Sequence, residues 1–393
     1  MKISFTTFGC KLNQAETDEI KNILEKKDCL IVLAKTNEQI AIVRACAVTC
    51  KASQRTREAI RSLKKNGAYI IATGCLENTD LKQIDFIAKD AKSIVKHISQ
   101  MMARVKQKQA TKKLASKTRK FIKIQNGCNF ECSYCIIPKF RGKSMSIKAE
   151  KIIKKINDAH NEGIKEVVLT GINICQYDDK GVKLSDLLEM IVKKTKILRI
   201  RLGSLDPRLI DKKLVKLYNK KNQHTVRLLP HWHLSLQSGS DSVLKRMKRG
   251  YTTAKYYGLI KKLRLKNSLF SFTTDIIVGF PQESEKEFAE TKKFVKKILF
   301  SKVHIFPFSP RPGTHAFYLK PLHNQTVSNR IKQLSATAEQ ASKKFRKKFN
   351  GKKRDVLFEN KKNEMWSGYS PEYIQIKLKS SQNLSNAIMK VKM

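Results

Sequence analysis

Apolar and polar residues follow two different periods over about the first 90 residues of the chain. Short apolar runs of the kind found in strands are separated by segments whose apolar residues recur at helical spacing. The runs are ISFTTF, IAIVRA, AYIIAT and DFIA, and the two longest helical segments are QAETDEIKNILEKK and SQRTREAIRSLKKN. Strands that alternate with amphipathic helices favour parallel βαβ units. The pattern therefore predicts a small, parallel α/β sheet domain over residues 1–98.

Three cysteines follow three of these predicted strands. Cys10 comes after the first strand, Cys46 follows IAIVRA, and Cys75 follows AYIIATG. Parallel strands present their carboxyl ends at one edge of the sheet, and open α/β folds bind ligands at that edge. The three thiols can therefore converge on one site, although a cysteine considered alone is more often a small buried core residue.

A second and longer alternation begins after a basic segment. Residues 99–118 lack strong apolar periodicity and are predicted to form a basic linker or a loosely packed helix. Six strand-like runs then alternate with helical segments as far as Pro312. The runs are FIKIQ, EVVLTGI, ILRIRLGS, HWHLSLQ, SFTTDIIVGF and KVHIFPFS. They predict a partial (β/α)6 barrel over residues 119–347, with its site at the carboxyl ends of the strands.

The chain after the barrel is expected to form a small all-β domain. A last helical segment, SNRIKQLSATAEQASKKFRKKFNG, precedes the strand-like runs RDVLFE, SGYSPEYIQIKL and AIMKVKM. These runs predict an all-β domain over residues 348–393. The predicted fold class is therefore α/β, with a parallel sheet domain, a partial barrel and a small β domain.

The charge of the chain favours a polyanionic partner. Lysine and arginine number 81 against 33 acidic residues, which gives a formal net charge of +48. Clustered cations release the counterions condensed on nucleic acid, so nucleic acid is the favoured partner. The alternative is that the lysine excess reflects an A/T-biased genome.

Hydropathy gives no sign of a membrane partner. No apolar run reaches the roughly 18 to 20 residues that a membrane span needs. The segment MKISFTTFGC lacks the apolar core and cleavage site of a secretory signal. We therefore expect a soluble, cytoplasmic protein.

The most specific motif is GCNFECSYCIIPKFRG, residues 127–142. Its cysteines, Cys128, Cys132 and Cys135, have the spacing C-x3-C-x2-C in a predicted strand-to-helix loop. Structural zinc normally takes four ligands, commonly as two C-x2-C pairs, and no matching second pair lies nearby in the sequence. A cubane iron-sulfur cluster usually takes four cysteines, so three would leave one iron open to a substrate. A zinc loop or unliganded thiols remain the alternatives.

This loop resembles that of the radical S-adenosylmethionine superfamily, in which a CxxxCxxC motif holds a 4Fe-4S cluster. Tyr134 fills the aromatic position before the last cysteine. Successive blocks of the chain also resemble the methylthiotransferase family. They are TRKFIKIQNGCNFECSYCIIPKFRGKS, EVVLTGINI, RIRLGSLDP, HWHLSLQSGSDSVLKRMKRGYT, TTDIIVGFPQE and KVHIFPFSPRPGT. The resemblance implies a second 4Fe-4S cluster on Cys10, Cys46 and Cys75, and an RNA-binding TRAM-like domain at the carboxyl end.

The same resemblance implies that S-adenosylmethionine lies across the mouth of the barrel. The residues expected around it are Tyr134, Gly171, Asn173, Ser204, Asp206, Gln237 and Asp275. Polar residues at strand ends are about as often caps or turn formers, which is the alternative for each of them. Arg141 is expected either to reach a phosphate or carboxylate or to be a surface arginine.

The implied activity is methylthiolation of tRNA. In the family, the cluster of the CxxxCxxC loop generates the radical that removes a substrate hydrogen, and the second cluster carries the sulfur. No catalytic residue beyond the cluster cysteines is implied. The implied partners are tRNA and an electron donor such as a flavodoxin or ferredoxin, whereas the sulfur donor is not identified.

Substrate choice is indicated by GCKLNQAET and SGYSPEYIQIKL, which resemble the branch acting on N6-threonylcarbamoyladenosine next to the anticodon. The alternatives are the branch acting on isopentenyladenosine, the branch acting on a ribosomal protein aspartate, and a non-catalytic iron-sulfur RNA-binding protein. Arg44 and Ala45 depart from the Asn-Thr that the family usually has before the second cysteine. Three further cysteines, Cys29, Cys50 and Cys175, have no implied role.

Overall fold

The computed structural model describes residues 1–27, 29–34, 38–76, 83–102, 118–219 and 227–393. Their contacts divide the chain into two compact units. The first unit comprises Met1–Ser116, Cys135–Gly142 and Ser309–Gly313, and the second comprises Lys117–Tyr134, Lys143–Phe308 and Thr314–Met393. Within the described ranges, no helix combines the length and apolar character needed to cross a membrane.

The first unit is built on a five-stranded parallel sheet with the order β2-β1-β3-β4-β5. Its strands are β1 (Lys2–Thr7), β2 (Leu30–Val32), β3 (Ile40–Ala45), β4 (Tyr69–Gly74) and β5 (Phe86–Ile87). Its helices are α1 (Lys11–Glu25), α2 (Cys50–Lys65), α3 (Ala91–Met102) and α4 (Ile137–Arg141). The parallel α/β prediction is confirmed. Strand β2 was missed because its three residues are too few to establish a period of two.

The central strand β3 shows how both faces of this sheet are covered. All six of its residues are buried. Ile40 and Ile42 join the apolar core that includes residues of α1 and α3, whereas Ala41 and Val43 join the core that includes residues of α2. Successive side chains of a strand point to opposite faces, so an uninterrupted apolar run is what a doubly covered parallel strand requires.

Helix α3 continues past the predicted boundary at residue 98 and ends at Met102. The first four residues of the predicted linker, 99–102, therefore form its last turn. Residues 103–117, which make up nearly all the rest of that linker, lie outside the described residues.

The second unit contains the predicted partial barrel of parallel strands. The strands are β6 (Arg119–Lys123), β9 (Glu166–Thr170), β12 (Arg199–Leu202), β13 (Ser204–Leu205), β14 (His231–Leu234), β15 (Ser271–Val278) and β16 (Lys302–Pro307). They pair in the orders β12-β9-β6 and β13-β14-β15-β16, and a parallel bridge between Ile200 and Leu228 continues the wall. The predicted strand ILRIRLGS is split at Gly203, where a Cβ would lie 2.9 Å from the Leu169 carbonyl oxygen.

Helices cover this wall, and short hairpin strands lie in its loops. The helices are α5 (Ala149–Asn161), α6 (Leu184–Lys194), α7 (Lys212–Asn219), α8 (Asp241–Arg246), α9 (Thr253–Lys266), α10 (Glu285–Ile298) and α11 (Asn324–Lys347). The short strands are β7 (Gln125–Asn126), β8 (Met145–Ser146), β10 (Asp178–Asp179) and β11 (Val182–Lys183). The 3-10 turns among the residues that the structure describes include Ile174–Gln176, Pro207–Leu209 and His315–Tyr318.

The carboxy-terminal part of the second unit is a four-stranded antiparallel sheet with the order β19-β18-β17-β20, as the all-β prediction requires. Its strands are β17 (Lys353–Lys362), β18 (Met365–Tyr369), β19 (Gln375–Lys379) and β20 (Ile388–Lys392). Its small core contains Val356, Phe358, Trp366 and Leu384. Arg201 of the barrel strand β12 donates to the Pro371 carbonyl at 3.0 Å, so the sheet is fastened to the barrel by hydrogen bonds.

Candidate functional site

The carboxyl ends of three neighbouring strands in the first unit carry the three predicted thiols. Cys10 is the N-cap residue of α1, Cys46 directly follows β3, and Cys75 directly follows β4. Burial raises the pKa of the Cys46 thiol, and charge on Cys10 and Cys75 raises it further, so the three groups lie close enough to interact. Buried thiols that resist ionisation on their own become thiolates when they ligate a metal.

Glycines let the backbone approach these sulfurs closely. Gly9 has a φ of +94°, and a Cβ there would lie 2.8 Å from Cys46 Sγ. Gly74 has a φ of +100°, and a Cβ there would lie 2.7 Å from the Ala45 carbonyl oxygen. Both positions need the left-handed conformation that glycine adopts without strain. Three soft donors in such a cradle fit an iron-sulfur cluster with one iron left open.

Two arginines share one carboxylate beside the three thiols. Arg44 pairs with Glu16, and Arg141 Nη1 lies 3.2 Å from the same Glu16 oxygen. Arg141 Nη2 also donates to Asn13 Oδ1 at 2.6 Å. The Arg141 side chain is only 7% exposed, so of its two expected roles the surface arginine is wrong and the contact with a carboxylate is observed. Two guanidinium groups against one carboxylate leave a net positive surrounding, which suits an anionic thiolate-bound cluster.

We expect Gly9→Ala to empty the three-thiol site, because its Cβ would displace Cys46 Sγ. Reconstituted protein should then hold about half of its iron, since two clusters are expected. The measurement is iron content together with the electron paramagnetic resonance spectrum. The matched control is Gly67→Ala, because Gly67 also has a positive φ (+80°) but a Cβ there would meet no atom within 4 Å. Equal iron content in the two variants would contradict the prediction.

In the second unit, Cys128 and Cys132 lie in the loop that follows β7. Arg249 Nη1 lies 3.4 Å from Cys132 Sγ, and Arg208 Nη2 lies 3.7 Å from the same sulfur. The Phe130 N–H donates to Cys128 Sγ at 3.5 Å. Amide and guanidinium donors to sulfur are among the contacts that set the potential of an iron-sulfur cluster. The loop therefore fits such a cluster, and the third cysteine of the motif, Cys135, begins the Cys135–Gly142 segment of the first unit.

Asp206 holds these two arginines. Its Oδ2 lies 2.7 Å from Arg208 Nη2 and 3.4 Å from Arg249 Nη2. Asp206 is also the N-cap of the turn Pro207–Leu209 and accepts the Arg208 backbone N–H at 3.0 Å. Its observed contacts are therefore those of a cap and of a positioning residue for the arginines at Cys132.

Tyr134 is half-buried among apolar residues. It packs against the cluster formed by Val243, Met247, Phe280 and Ala316. The packing explains why an aromatic residue suits the position before Cys135, independently of any contact with a cofactor.

Gly171 and Asn173 lie beside Gln125, after strand β9. A Cβ on Gly171 would lie 2.8 Å from the Gln125 carbonyl oxygen, so close backbone contact accounts for this glycine. The Asn173 N–H donates to Gln125 Oε1 at 2.9 Å, and Asn173 Oδ1 is buried with no hydrogen-bond partner among the described residues. A buried acceptor without a donor is costly. The ammonium group of an amino acid moiety would donate the missing hydrogen bond to Asn173 Oδ1. This agrees with the predicted position of S-adenosylmethionine, which places its methionine part near Asn173.

The barrel interior carries a group of polar side chains of which the sequence singled out only Asp275. His233 Nδ1 lies 2.9 Å from Thr273 Oγ1, and His233 Nε2 lies 3.0 Å from Asp275 Oδ2. His304 belongs to the same group. One nitrogen or oxygen atom from each of His233, Asp275 and His304 lies within 4.8 Å of the other two. Both nitrogens of His233 already have hydrogen-bond partners, which favours a polar lining over a metal site. The register of the strands would have pointed to His304 from the sequence, because it is opposite Asp275 in the β15–β16 ladder.

Gln237 follows β14, the strand that pairs with the strand of Asp275, and Ser204 lies on β13, one strand further away. Gln237 has a φ of +74°, its N–H donates to the Asp275 carbonyl at 2.8 Å, and its carbonyl accepts the Ile277 N–H at 2.9 Å. Ser204 is opposite His233 in the β13–β14 ladder. The structure therefore places Gln237 beside Asp275, and Ser204 opposite His233, the hydrogen-bond partner of Asp275.

A cleft of about 580 Å³ adjoins the loop of Cys128 and Cys132. Asn129 and Phe130 line it from the loop, and Gln176, Asp178 and Asp211 line it from the barrel. None of the residues predicted around S-adenosylmethionine borders the cleft. It is therefore distinct from the predicted cofactor position.

The three cysteines without an implied role have different surroundings. Cys29 is buried in the first unit with its Sγ 3.4 Å from Met102 Sδ. Cys175 accepts the Asp206 N–H at 3.3 Å, and burial raises its pKa. Cys50 begins α2 with an exposed thiol, 3.1 Å from Ser309 Oγ.

Two family models match the chain. One is the radical SAM superfamily, which matches residues 122–295, and the other is an uncharacterized protein family, UPF0004, which matches residues 2–96. The first match lies within the partial barrel, and the second lies within the parallel sheet domain.

Curated relatives are similar to the chain over most of its length. It is 35% identical over 383 residues to the threonylcarbamoyladenosine tRNA methylthiotransferase MtaB of Aquifex aeolicus, covering 91% of this chain and 92% of that protein. It is 36% identical over 396 residues to the protein of the same name from Thermotoga maritima, covering 95% and 90%. A tRNA-2-methylthio-N(6)-dimethylallyladenosine synthase from Neorickettsia sennetsu is 28% identical, covering 99% and 89%.

A solved structure shares the fold. The radical S-adenosylmethionine methyltransferase TsrM from Kitasatospora setae superposes with a TM-score of 0.58 at 12% identity, covering 80% of this chain and 75% of that one. At that identity the likeness concerns architecture alone.

Proposed function

The chain belongs to the family of threonylcarbamoyladenosine tRNA methylthiotransferases, and on that premise we infer that it converts N6-threonylcarbamoyladenosine in tRNA to its 2-methylthio derivative. It is a radical S-adenosylmethionine enzyme that uses S-adenosylmethionine and 4Fe-4S clusters. The observation that carries the substrate is the identity of 35% and 36% with two relatives of that name over more than nine-tenths of the chain.

We propose that Cys128, Cys132 and Cys135 hold the radical cluster, and that a second set of three cysteines holds the other cluster. The second set is Cys10, Cys46 and Cys75. The guanidinium contacts of Cys132 and the grouping of the second set at one sheet edge support this assignment. When bound, the clusters and S-adenosylmethionine supply the hydrogen abstraction, the sulfur and the methyl group.

The side chains of the protein orient and neutralise these groups. Arg249 and Arg208, held by Asp206, balance the thiolate charge at Cys132. Asn173 Oδ1, a buried acceptor without a partner among the described residues, would accept a hydrogen bond from the amino group of S-adenosylmethionine. Asp275, oriented by His233, would accept hydrogen bonds from hydroxyl groups of S-adenosylmethionine at the barrel mouth.

tRNA is the substrate partner, and the strong positive charge of the chain suits its phosphates. We propose that the carboxy-terminal antiparallel sheet serves as a TRAM-like RNA-binding domain. We also propose that a small electron-transfer protein such as a flavodoxin or ferredoxin reduces the enzyme, and that the reaction takes place in the cytoplasm.

Mass spectrometry of tRNA nucleosides from cells with and without the gene tests this function. Deletion should remove 2-methylthio-N6-threonylcarbamoyladenosine and leave its unthiolated precursor in its place, and the intact gene should restore it. Loss of 2-methylthio-isopentenyladenosine instead would assign the enzyme to the other tRNA branch. An unchanged nucleoside profile would refute a tRNA substrate.

A further inference from the structure

The exposed aromatic side chains of the described residues occur in one short stretch of the chain. They are Phe306, Phe317 and Tyr318, which are 40%, 39% and 79% exposed. Every other phenylalanine, tyrosine and tryptophan that the structure describes is buried or half-buried. Single exposed apolar residues are common, but two adjacent aromatic rings with most of one ring in solvent are a feature of interaction surfaces.

The pair of Phe317 and Tyr318 lies beside the loop that carries Cys128 and Cys132. The N–H of Ala316 donates to the Ser133 carbonyl at 2.8 Å. Ala316 is fully buried in the apolar cluster that Tyr134 also joins, and Leu319 packs against the same cluster. A buried residue before the pair and a half-buried residue after it therefore hold the two aromatic rings at the surface, next to the cluster loop.

The geometry of the pair keeps one ring available for a planar partner. The Phe317 and Tyr318 centroids are 5.4 Å apart, and the ring planes are inclined at 87°. In this edge-to-face arrangement Phe317 supports Tyr318, and the Tyr318 side chain stays 79% exposed. Stacking between an aromatic face and an unpaired base is the main way in which proteins hold single-stranded RNA.

Phe306, the third exposed aromatic residue, lies near the carboxyl end of β16. Phe306 lies two residues after His304 on β16, so both side chains point to the same side of the strand. His304 points to the interior, where it meets His233 and Asp275. An exposed aromatic residue thus faces the interior near the carboxyl end of β16, where the site of a barrel enzyme lies.

We propose that Phe317 and Tyr318 form a base-stacking pair that holds an unpaired base of the anticodon loop beside the adenosine being modified. This inference rests on the proposed tRNA substrate. The neighbouring exposed residues His315 and Lys320 can approach the phosphates of the same nucleotides, and the charge of +48 favours RNA over an apolar protein partner or a neutral membrane surface.

Binding of a fluorescently labelled anticodon stem-loop RNA to the reconstituted full-length protein tests the proposal. The double variant Phe317→Leu/Tyr318→Leu keeps apolar surface but removes both rings. Its affinity should fall about 5- to 100-fold, the range expected for the loss of a stacked base. The KM for tRNA should rise with it, whereas cleavage of S-adenosylmethionine in the absence of RNA should be unchanged.

Three controls separate stacking from other effects. Tyr318→Phe keeps the ring and should bind as the wild type does, because the hydroxyl is not required. Leu265→Ala removes an equally exposed apolar side chain (73%) on α9 and should also bind normally. An RNA duplex without a loop should bind the double variant and the wild type equally.

The two inferences fail in different ways. Unchanged affinity of the double variant for a stem-loop that the wild type binds would overturn the stacking pair and leave the tRNA function intact. Failure of the wild type to prefer the stem-loop over the duplex would overturn the stacking pair together with recognition of the anticodon loop.

Discussion

Cys10→Ala is expected to abolish thiolation of tRNA while reductive cleavage of S-adenosylmethionine continues. Cys10 is a member of the three-thiol set in the first unit, whereas cleavage depends on the cluster loop of Cys128, Cys132 and Cys135. A cluster held by two protein thiolates instead of three should be lost or carry no transferable sulfur. The measurement compares 5′-deoxyadenosine formation with methylthiolated nucleoside in one reaction mixture.

Cys50→Ala is the matched control for this variant. Cys50 lies in the same unit, is exposed like Cys10, and follows Cys46 by four residues. Its thiol contacts Ser309, so its removal should leave both products at wild-type levels. Full thiolation by Cys10→Ala, or its loss in Cys50→Ala, would show that the ligand set of the second cluster is assigned wrongly.

The three-thiol set could be predicted because one topological rule applies to all its members. Each cysteine follows a parallel strand, and all such ends meet at one edge of the sheet. The charges around the set could not be predicted in the same way. Arg44 and Glu16 are 28 residues apart, and Arg141 lies 125 residues from Glu16. No periodicity links positions at such separations, and the contact of Arg141 also depends on how the Cys135–Gly142 segment folds back.

The barrel shows the same division between local pattern and long-range contact. Each of its predicted strands was visible as an apolar run, and the parallel order followed from the alternation with helices. The roles of individual polar residues depended on register and on loop conformation. Asp206 was visible as a strand-end acid, but its two arginine partners come from a turn and from the loop after α8.

Glu166→Gln is expected to destabilise the second unit by about 3 to 5 kcal/mol, because it leaves buried guanidinium groups without their counter-charge. Glu166 Oε1 lies 2.7 Å from Arg201 Nε, and Glu166 Oε2 lies 2.8 Å from Arg199 Nε. The Arg201 side chain is fully buried and that of Arg199 is 6% exposed. Urea unfolding followed by tryptophan fluorescence suits the measurement, since Trp232 and Trp366 lie in the barrel and in the terminal sheet.

The control is Glu162→Gln, which makes the same change at an acid that is 55% exposed and pairs with Lys120. An exposed pair contributes little, so this variant should shift the free energy of unfolding by less than about 1 kcal/mol. Equal unfolding midpoints for the two variants would mean that the charge of Glu166 adds no more to the free energy of unfolding than that of the exposed Glu162.

The same network predicts how stability depends on pH. Burial alone would raise the pKa of Glu166, but Arg201 and Arg199 outweigh it and hold the pKa at about 2, below the ordinary value of 4.5. A carboxylate with a lowered pKa stabilises the folded state fully above its ordinary pKa and loses that contribution as the pH falls through the folded value. The free-energy difference between wild type and Glu166→Gln should therefore be constant from neutral pH to about 4.5 and shrink as the pH approaches 2. A difference that stayed constant over that acid range would mean that lost packing or hydrogen bonding, and not lost charge, makes the variant unstable.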